Sequence, residues 1–133
     1  MFWQDIFISS ILPKTKVISA LSSVFEIDEK MIRLIKDIEE ITQSDGASIV
    51  CQTYKSDTEF PLRLSVYIID EKLVPQDEQV KLAHLSSELE CAILMSDASN
   101  NPYSMLRISF DGSIKQVNVN IEEYDNAEEF DLQ

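Results

Sequence analysis

The chain has 133 residues, of which 44% are hydrophobic, so its length and composition fit one domain with a substantial core. Its 24 acidic and 11 basic residues give a formal net charge of -13, which opposes binding to nucleic-acid phosphates or to an anionic membrane. This charge favours a cationic partner, or simply solubility. The two glycines, Gly46 and Gly112, stand far apart, which excludes the Gly-rich loops that bind phosphate groups.

Cysteine spacing and the N-terminus bear on metal binding and on compartment. Cys51 and Cys91 lie within apolar runs without Cys or His neighbours at short spacing, so we expect two buried, reduced thiols and no zinc site. The stretch "MFWQDIFISSILPKTK" has no Lys or Arg before its apolar part, and Asp5 interrupts that part. No apolar run approaches the roughly 20 residues that span a bilayer. We therefore expect no signal peptide and a cytoplasmic location.

The first third of the chain predicts two helices and an ambiguous segment. Residues 2–12 carry apolar side chains at helical spacing, which favours a short helix, with a strand over 5–9 as the alternative. Pro13 breaks this pattern and opens a second helix over about 14–25. Residues 27–41 fit either a helix or a strand, and we prefer the strand because clear strands follow. The "QSDG" stretch, residues 43–46, predicts a turn.

The remaining segments predict mostly strands. A strand over about 47–55 and an alternating one over 60–70 are joined as a hairpin by residues 56–59. A helix over about 76–88 follows Pro75, and the wholly apolar "CAILM" predicts a short central strand.

The final two strands are predicted over about 103–110 and 114–121, with "DG" between them as a type I′ hairpin signal. The chain should therefore form one α+β domain over 1–133, with an acidic C-terminal tail from about 122. We expect a predominantly antiparallel sheet of about five to six strands, with about three helices chiefly on one face.

The sequence offers little support for catalysis or metal binding. Asp97, Ser99 and Asn101 have the spacing of the first three EF-hand calcium ligands, but Pro102 and Ile108 replace the required Gly and Glu. This stretch therefore predicts a turn, in which side chains satisfy backbone groups. The single histidine, His84, precedes Glu88 by four residues without a second His, so the HExxH motif is absent. We expect no enzymatic activity and no cofactor.

The acidic tail has a different composition from the rest of the chain, because its carboxylates surround two aromatic side chains. Such a run is often only a solvated end. It also resembles a binding surface, in which rings occupy pockets and acids meet Lys and Arg. The loop at 97–103 extends this surface if the final hairpin packs beside the "CAILM" strand. The predicted partner-binding residues are Asp97, Tyr103, Glu122, Glu123, Tyr124, Asp125, Glu128, Glu129, Phe130 and Asp131.

Three stretches carry a family resemblance: "FWQDIFISSILP", "CQTYKSDTEFPLRLSVYII" and "LMSDASNNPYSMLRI". Together they make the chain resemble small bacterial immunity proteins of contact-dependent growth inhibition and related polymorphic-toxin systems. The resemblance implies a cytoplasmic protein that binds and neutralises the C-terminal domain of one cognate toxin, often a basic nuclease. It assigns no role to any individual residue. An acidic adaptor or assembly subunit without catalytic activity is the alternative, and a small acidic enzyme is a third.

Overall fold

The computed structural model describes residues 2–43, 46–97 and 99–133. Its strands form one sheet. The described strands are β1 (Phe2–Ile8), β2 (Ile32–Ile35), β3 (Ile49–Lys55), β4 (Leu62–Ile68), β5 (Ile93–Ser96), β6 (Ser104–Ile108), β7 (Ile114–Asn118) and β8 (Glu128–Glu129). The described α-helices are α1 (Lys14–Phe25), α2 (Glu78–Leu89) and α3 (Ile121–Asp125), and short 3₁₀ turns lie at Glu29–Met31, Ile38–Gln43 and Glu71–Leu73.

The strands follow the order β2-β3-β4-β1-β5-β6-β7, and β8 pairs with β3 beyond the end of β2. Every pair is antiparallel except β2 with β3. The predicted α+β class and the predominantly antiparallel sheet are therefore confirmed. The described part of the chain contains eight strands, however, where the sequence predicted five to six.

The N-terminal segment is a strand, so the prediction of a helix over 2–12 is wrong. β1 lies inside the sheet, paired with β4 on one side and β5 on the other. Ile6 and Ile8 face one layer of the core and Phe7 faces another, and all three are buried. A strand that is buried on both faces is apolar at successive positions, which hides the alternation that identifies most strands. The alternative strand over 5–9 was closer to the observed one.

The two long helices cover one face of the sheet and confirm the predictions over 14–25 and 76–88. α1 and α2 pack together, and their buried side chains join the largest core cluster with alternate residues of β1, β3 and β4. The Asp77 side chain begins α2 by accepting a hydrogen bond from the Val80 N–H at 3.1 Å. The short α3 lies on the opposite face, where Tyr124 joins a second cluster around Phe7 and Leu94.

The segments around the turns agree with the predictions in part. Residues 32–35 are the preferred strand, within a segment that is otherwise 3₁₀ or irregular. The "QSDG" turn falls partly outside the described residues. The β6–β7 hairpin is present, but its turn is not type I′, since that type requires positive φ at both central residues and only Gly112 of the "DG" pair has it. Here the Gly112 N–H donates to the Ser109 carbonyl at 2.9 Å.

Both cysteines are free and buried, as predicted, and burial raises the pKa of the Cys51 thiol to about 12. Cys91 lies just before β5 rather than within a strand. No α-helix among the described residues has the length and apolar character to span a bilayer. Within the same residues, no group of three or more His, Cys, Asp or Glu side chains is placed to hold a metal ion.

Both long helices end at a glutamate in the left-handed conformation. Glu26 follows α1 and Glu90 follows α2, each with a φ of 56°. Glycine adopts this conformation without the clash between Cβ and the backbone, which costs other residues about 1–2 kcal/mol. A carboxylate at a helix C-terminus also opposes the helix dipole.

We therefore predict that Glu26→Gly and Glu90→Gly each raise the free energy of unfolding by about 0.5–1 kcal/mol, once the larger entropy of glycine in the unfolded chain is subtracted. Ser19→Gly is the control, because Ser19 is exposed and has ordinary helical geometry inside α1, where glycine should cost about 0.5 kcal/mol. Urea denaturation of the three variants measures these changes. A loss of stability in both Glu26→Gly and Glu90→Gly would contradict the prediction.

Candidate protein-binding surface

The acidic C-terminal segment is held against the sheet along its length. The Val119 N–H donates to the Tyr103 carbonyl at 2.8 Å, which ties the chain just before the segment to the loop before β6. β8 extends the sheet beside β3, and Leu132 is 4% exposed in the main core. The Lys14 N–H donates to the Gln133 carbonyl at 2.7 Å. The segment from 122 onward is therefore part of the folded domain rather than a solvated end.

Tyr124 is buried, and its ring packs in the core beneath the C-terminal segment. It is 6% exposed, and its ring meets that of Phe7 edge to face with centroids 5.3 Å apart. Burial raises the pKa of the phenol, and a hydrogen bond with the Thr58 side chain lowers it in part. The expectation that this ring anchors a partner must accordingly be revised, because in this conformation it contacts the protein's own core.

Phe130 is half-buried and also contributes to the fold. It packs against the core on the helical side of the sheet, and the Lys55 ammonium lies 5.4 Å from its ring centroid. Its N–H donates to the Thr53 carbonyl at 3.0 Å, and the Thr53 hydroxyl donates to the Phe130 carbonyl. These contacts hold β8 in register with β3.

The acids of this segment, unlike its rings, face solvent. All six are exposed, and the β3–β4 loop adds the exposed Asp57 and Glu59. Glu59 lies near Tyr124, because its negative charge raises the pKa of that phenol. Among the described residues, none of these eight carboxylates forms a salt bridge with a Lys, Arg or His. We call this set the acidic surface: Asp57, Glu59, Glu122, Glu123, Asp125, Glu128, Glu129 and Asp131.

The loop at 97–103 lies next to this segment, but the carboxylate of its aspartate is occupied by hydrogen bonds within the protein. Ser104, Ser99 and Gln116 donate hydrogen bonds to the Asp97 carboxylate, the last at 3.2 Å, and together they lower the pKa of that carboxyl to about 2. These hydrogen bonds connect Asp97 to its own loop, to β6 and to β7, which agrees with a turn whose side chains satisfy polar groups of the protein. Tyr103 has 49% of its surface exposed and remains available to a partner.

A cavity of about 300 Å³ separates this loop from α3. Its floor is the face of the sheet opposite α1 and α2, where the Arg63 guanidinium meets the Asp5 carboxylate at 3.2 Å and the Ser65 hydroxyl donates to Asp5 at 2.5 Å. The guanidinium lies 4.7 Å from the Tyr54 ring centroid and 5.8 Å from that of Phe7. Its Nε is buried and has no hydrogen-bond partner among the described residues.

The sequence predictions did not include this floor in the binding site. The alternation over 60–70 puts residues 63, 65 and 67 on the polar side of that strand, which is the available signal, but nothing local in the sequence joins them to Asp5. The single histidine lies elsewhere: His84 Nε2 is 3.5 Å from a carboxylate oxygen of Glu88 on the outer surface of α2, with 53% of its side chain exposed.

Burial of Tyr124 leads to a stability prediction. Tyr124→Ala should lower the free energy of unfolding by about 3–5 kcal/mol, because it removes a large buried ring. Tyr124→Phe keeps the ring and loses only the hydrogen bond with Thr58, so the loss should be about 1 kcal/mol. Urea denaturation distinguishes the two variants. An unchanged midpoint for Tyr124→Ala would mean that the ring is not part of the core.

The hydrogen bonds to Asp97 lead to a prediction about pH. Its pKa lies below the ordinary 3.8, so its contribution to stability is complete above about pH 4 and is lost as the pH falls towards 2. Asp97→Asn should therefore be less stable than the parent at pH 7, and the difference should shrink over this acidic range. Asp131→Asn is the control, since that carboxylate accepts no hydrogen bond among the described residues. A constant difference between parent and Asp97→Asn from pH 7 to pH 2 would contradict the assignment.

Comparison with known proteins returns no match: no family model, no curated protein and no solved structure matches the chain. The geometry and charge of the described residues are therefore the basis for a functional proposal.

Proposed function

We propose that this protein binds a cationic protein through the acidic surface, as a non-catalytic inhibitor. Specifically, we propose an immunity protein that forms a stoichiometric complex with a basic, nuclease-type toxin domain in the cytoplasm of a bacterium. The observation that carries the proposal is that eight exposed acids, none of which forms a salt bridge among the described residues, lie on ordered backbone. The resemblance of the three sequence stretches to immunity proteins supports the toxin as the partner.

The charge supports fast association with such a target. A net charge of -13 attracts a basic domain over a long range, and steering of this kind raises association rates by roughly 10 to 1,000-fold. A nuclease must carry a cationic cleft for phosphates, and carboxylates held at fixed positions can occupy that cleft in their place. Since the C-terminal segment is already ordered by β8 and Leu132, little conformational entropy is lost on binding.

The alternative is an acidic adaptor, and one feature of the fold favours it. β7 is an edge strand; Phe110 in the turn before it is 59% exposed, and Ile114 at its start is 40% exposed. An open strand edge beside exposed apolar side chains suits the addition of a partner strand. An adaptor that uses this edge would not require the acidic surface.

The test compares two variants that lose the same charge. The first carries Glu122→Gln, Glu123→Gln, Glu128→Gln and Glu129→Gln on the acidic surface. The control carries Glu26→Gln, Glu29→Gln, Glu71→Gln and Glu90→Gln, all exposed and outside that surface. Surface plasmon resonance measures binding to the toxin domain encoded beside this gene, at low and high salt. Full-length variants are needed, because truncation after Ile121 would remove β8 and Leu132 from the fold.

We predict that the first variant associates about tenfold more slowly or worse at low salt, with a flatter salt dependence and a similar dissociation rate. The control should lose less, because its charges act only through the overall field. Equal losses in the two variants would place the interface elsewhere. The absence of a complex with the neighbouring toxin, and of protection on co-expression, would remove the immunity function itself.

A further inference from the structure

We propose that the cavity between α3 and the 97–103 loop receives one long cationic side chain, arginine or lysine, from the partner protein. This proposal rests on the function proposed above and names the contact at its centre. Residues from β1, β4, α3 and the loop before β6 form the cavity together, so it exists only in the folded domain. Energetically dominant interface residues are commonly seated in such pockets and ringed by weaker contacts.

The size and walls of the cavity suit such a side chain. Its volume of about 300 Å³ lies at the lower end of the range for ligand pockets, which is roughly 300–1,000 Å³. Phe2, Phe7, Met105 and Ile121 supply apolar wall. Lys and Arg have long methylene stems that pack against such walls while the charged head seeks polar groups. The Phe2 ring is 54% exposed and can also meet a cation over its face.

The charge at the cavity favours a cation. Asp5 is already matched to Arg63 at 3.2 Å, so this pair contributes little net charge. Asp125 also lines the cavity, and its carboxylate is exposed and has no ion pair among the described residues. The unpartnered Nε of Arg63 could attract an anion instead. That anion would have to approach past Asp125 and the acidic surface, which repel it.

The free protein provides a direct test with small probes. We would titrate the isotopically labelled full-length chain with N-acetyl-arginine methylamide and record its amide NMR spectrum. The neutral control is the citrulline analogue, which has nearly the same shape, and the anionic control is N-acetyl-glutamate methylamide. We expect saturable shifts at Asp5, Ser99, Asn101 and Asp125 with the arginine probe alone. Equal shifts with citrulline, stronger binding of glutamate, or shifts confined to Glu122 and Glu128 would overturn the proposal.

Two substitutions test whether the cavity itself is the site. Ser99→Trp fills the cavity from the loop without a change of charge, whereas Asn100→Trp places the same ring on a neighbouring exposed residue that does not line it. The saturable shifts should disappear in Ser99→Trp and persist in Asn100→Trp, with both variants retaining the parent spectrum elsewhere. Undiminished binding to Ser99→Trp would overturn the proposal.

The same cavity predicts a split between rate constants in the complex. Asp125→Asn should raise the dissociation rate about tenfold or more, as expected for a desolvated anchor, whereas Glu122→Gln should change it less than about threefold. If the neighbouring toxin forms no complex, the proposed immunity function is wrong, and the probe titration still shows whether the cavity binds a cationic side chain. If the toxin binds and Asp125→Asn dissociates no faster than Glu122→Gln, the function survives and the cavity proposal fails.

Discussion

The pairing of β1 with both β4 and β5 is the constraint on which the rest of the structure depends. The β2–β3–β4 and β5–β6–β7 halves of the sheet are joined only through this strand within the described chain. Ile6 and Ile8 contribute to the core beneath α1 and α2, and Phe7 supports the cluster beneath α3. One short segment therefore connects both halves of the sheet and both layers of the core.

The same strand connects the core to the candidate site. Asp5 is adjacent in sequence to the buried Ile6, and its carboxylate holds Arg63 on the cavity floor. Phe7 packs against Tyr124 and so positions α3, which carries Asp125. Two exposed features, the cavity and part of the acidic surface, thus depend on side chains that are themselves buried. Substitutions in β1 should therefore change binding and stability together. Substitutions of exposed residues separate an effect on binding from an effect on stability more clearly.

The sequence predicted the elements whose two faces differ and missed those whose burial comes from distant contacts. α1, α2 and β4 have one apolar and one more polar face, so their periodicity is readable. The second half of β1, with Ile6, Phe7 and Ile8, is buried on both faces, and the strand was mistaken for a helix. The C-terminal segment looks polar in the sequence, because its contacts with the core are made mainly by Tyr124, Phe130 and Leu132. The six acids of the C-terminal segment were identified from composition, but Asp57 and Glu59 were missed, because they lie in a loop far away in the sequence. The cavity joins residues near positions 5, 63, 101 and 125, which no local pattern relates.

The central position of β1 has a consequence for how the chain folds. Its contacts close long loops: the hydrogen bond from Ser65 to Asp5 spans 60 residues, and the one from Gln4 to Glu78 spans 74. Domains dominated by such non-local contacts fold in milliseconds to seconds, because chain entropy is lost before the contacts form. Until β1 pairs, β4 and β5 each have an unprotected apolar edge, and such edges invite pairing with other chains. The dense negative charge, whatever its role in recognition, would also keep these incompletely folded molecules apart.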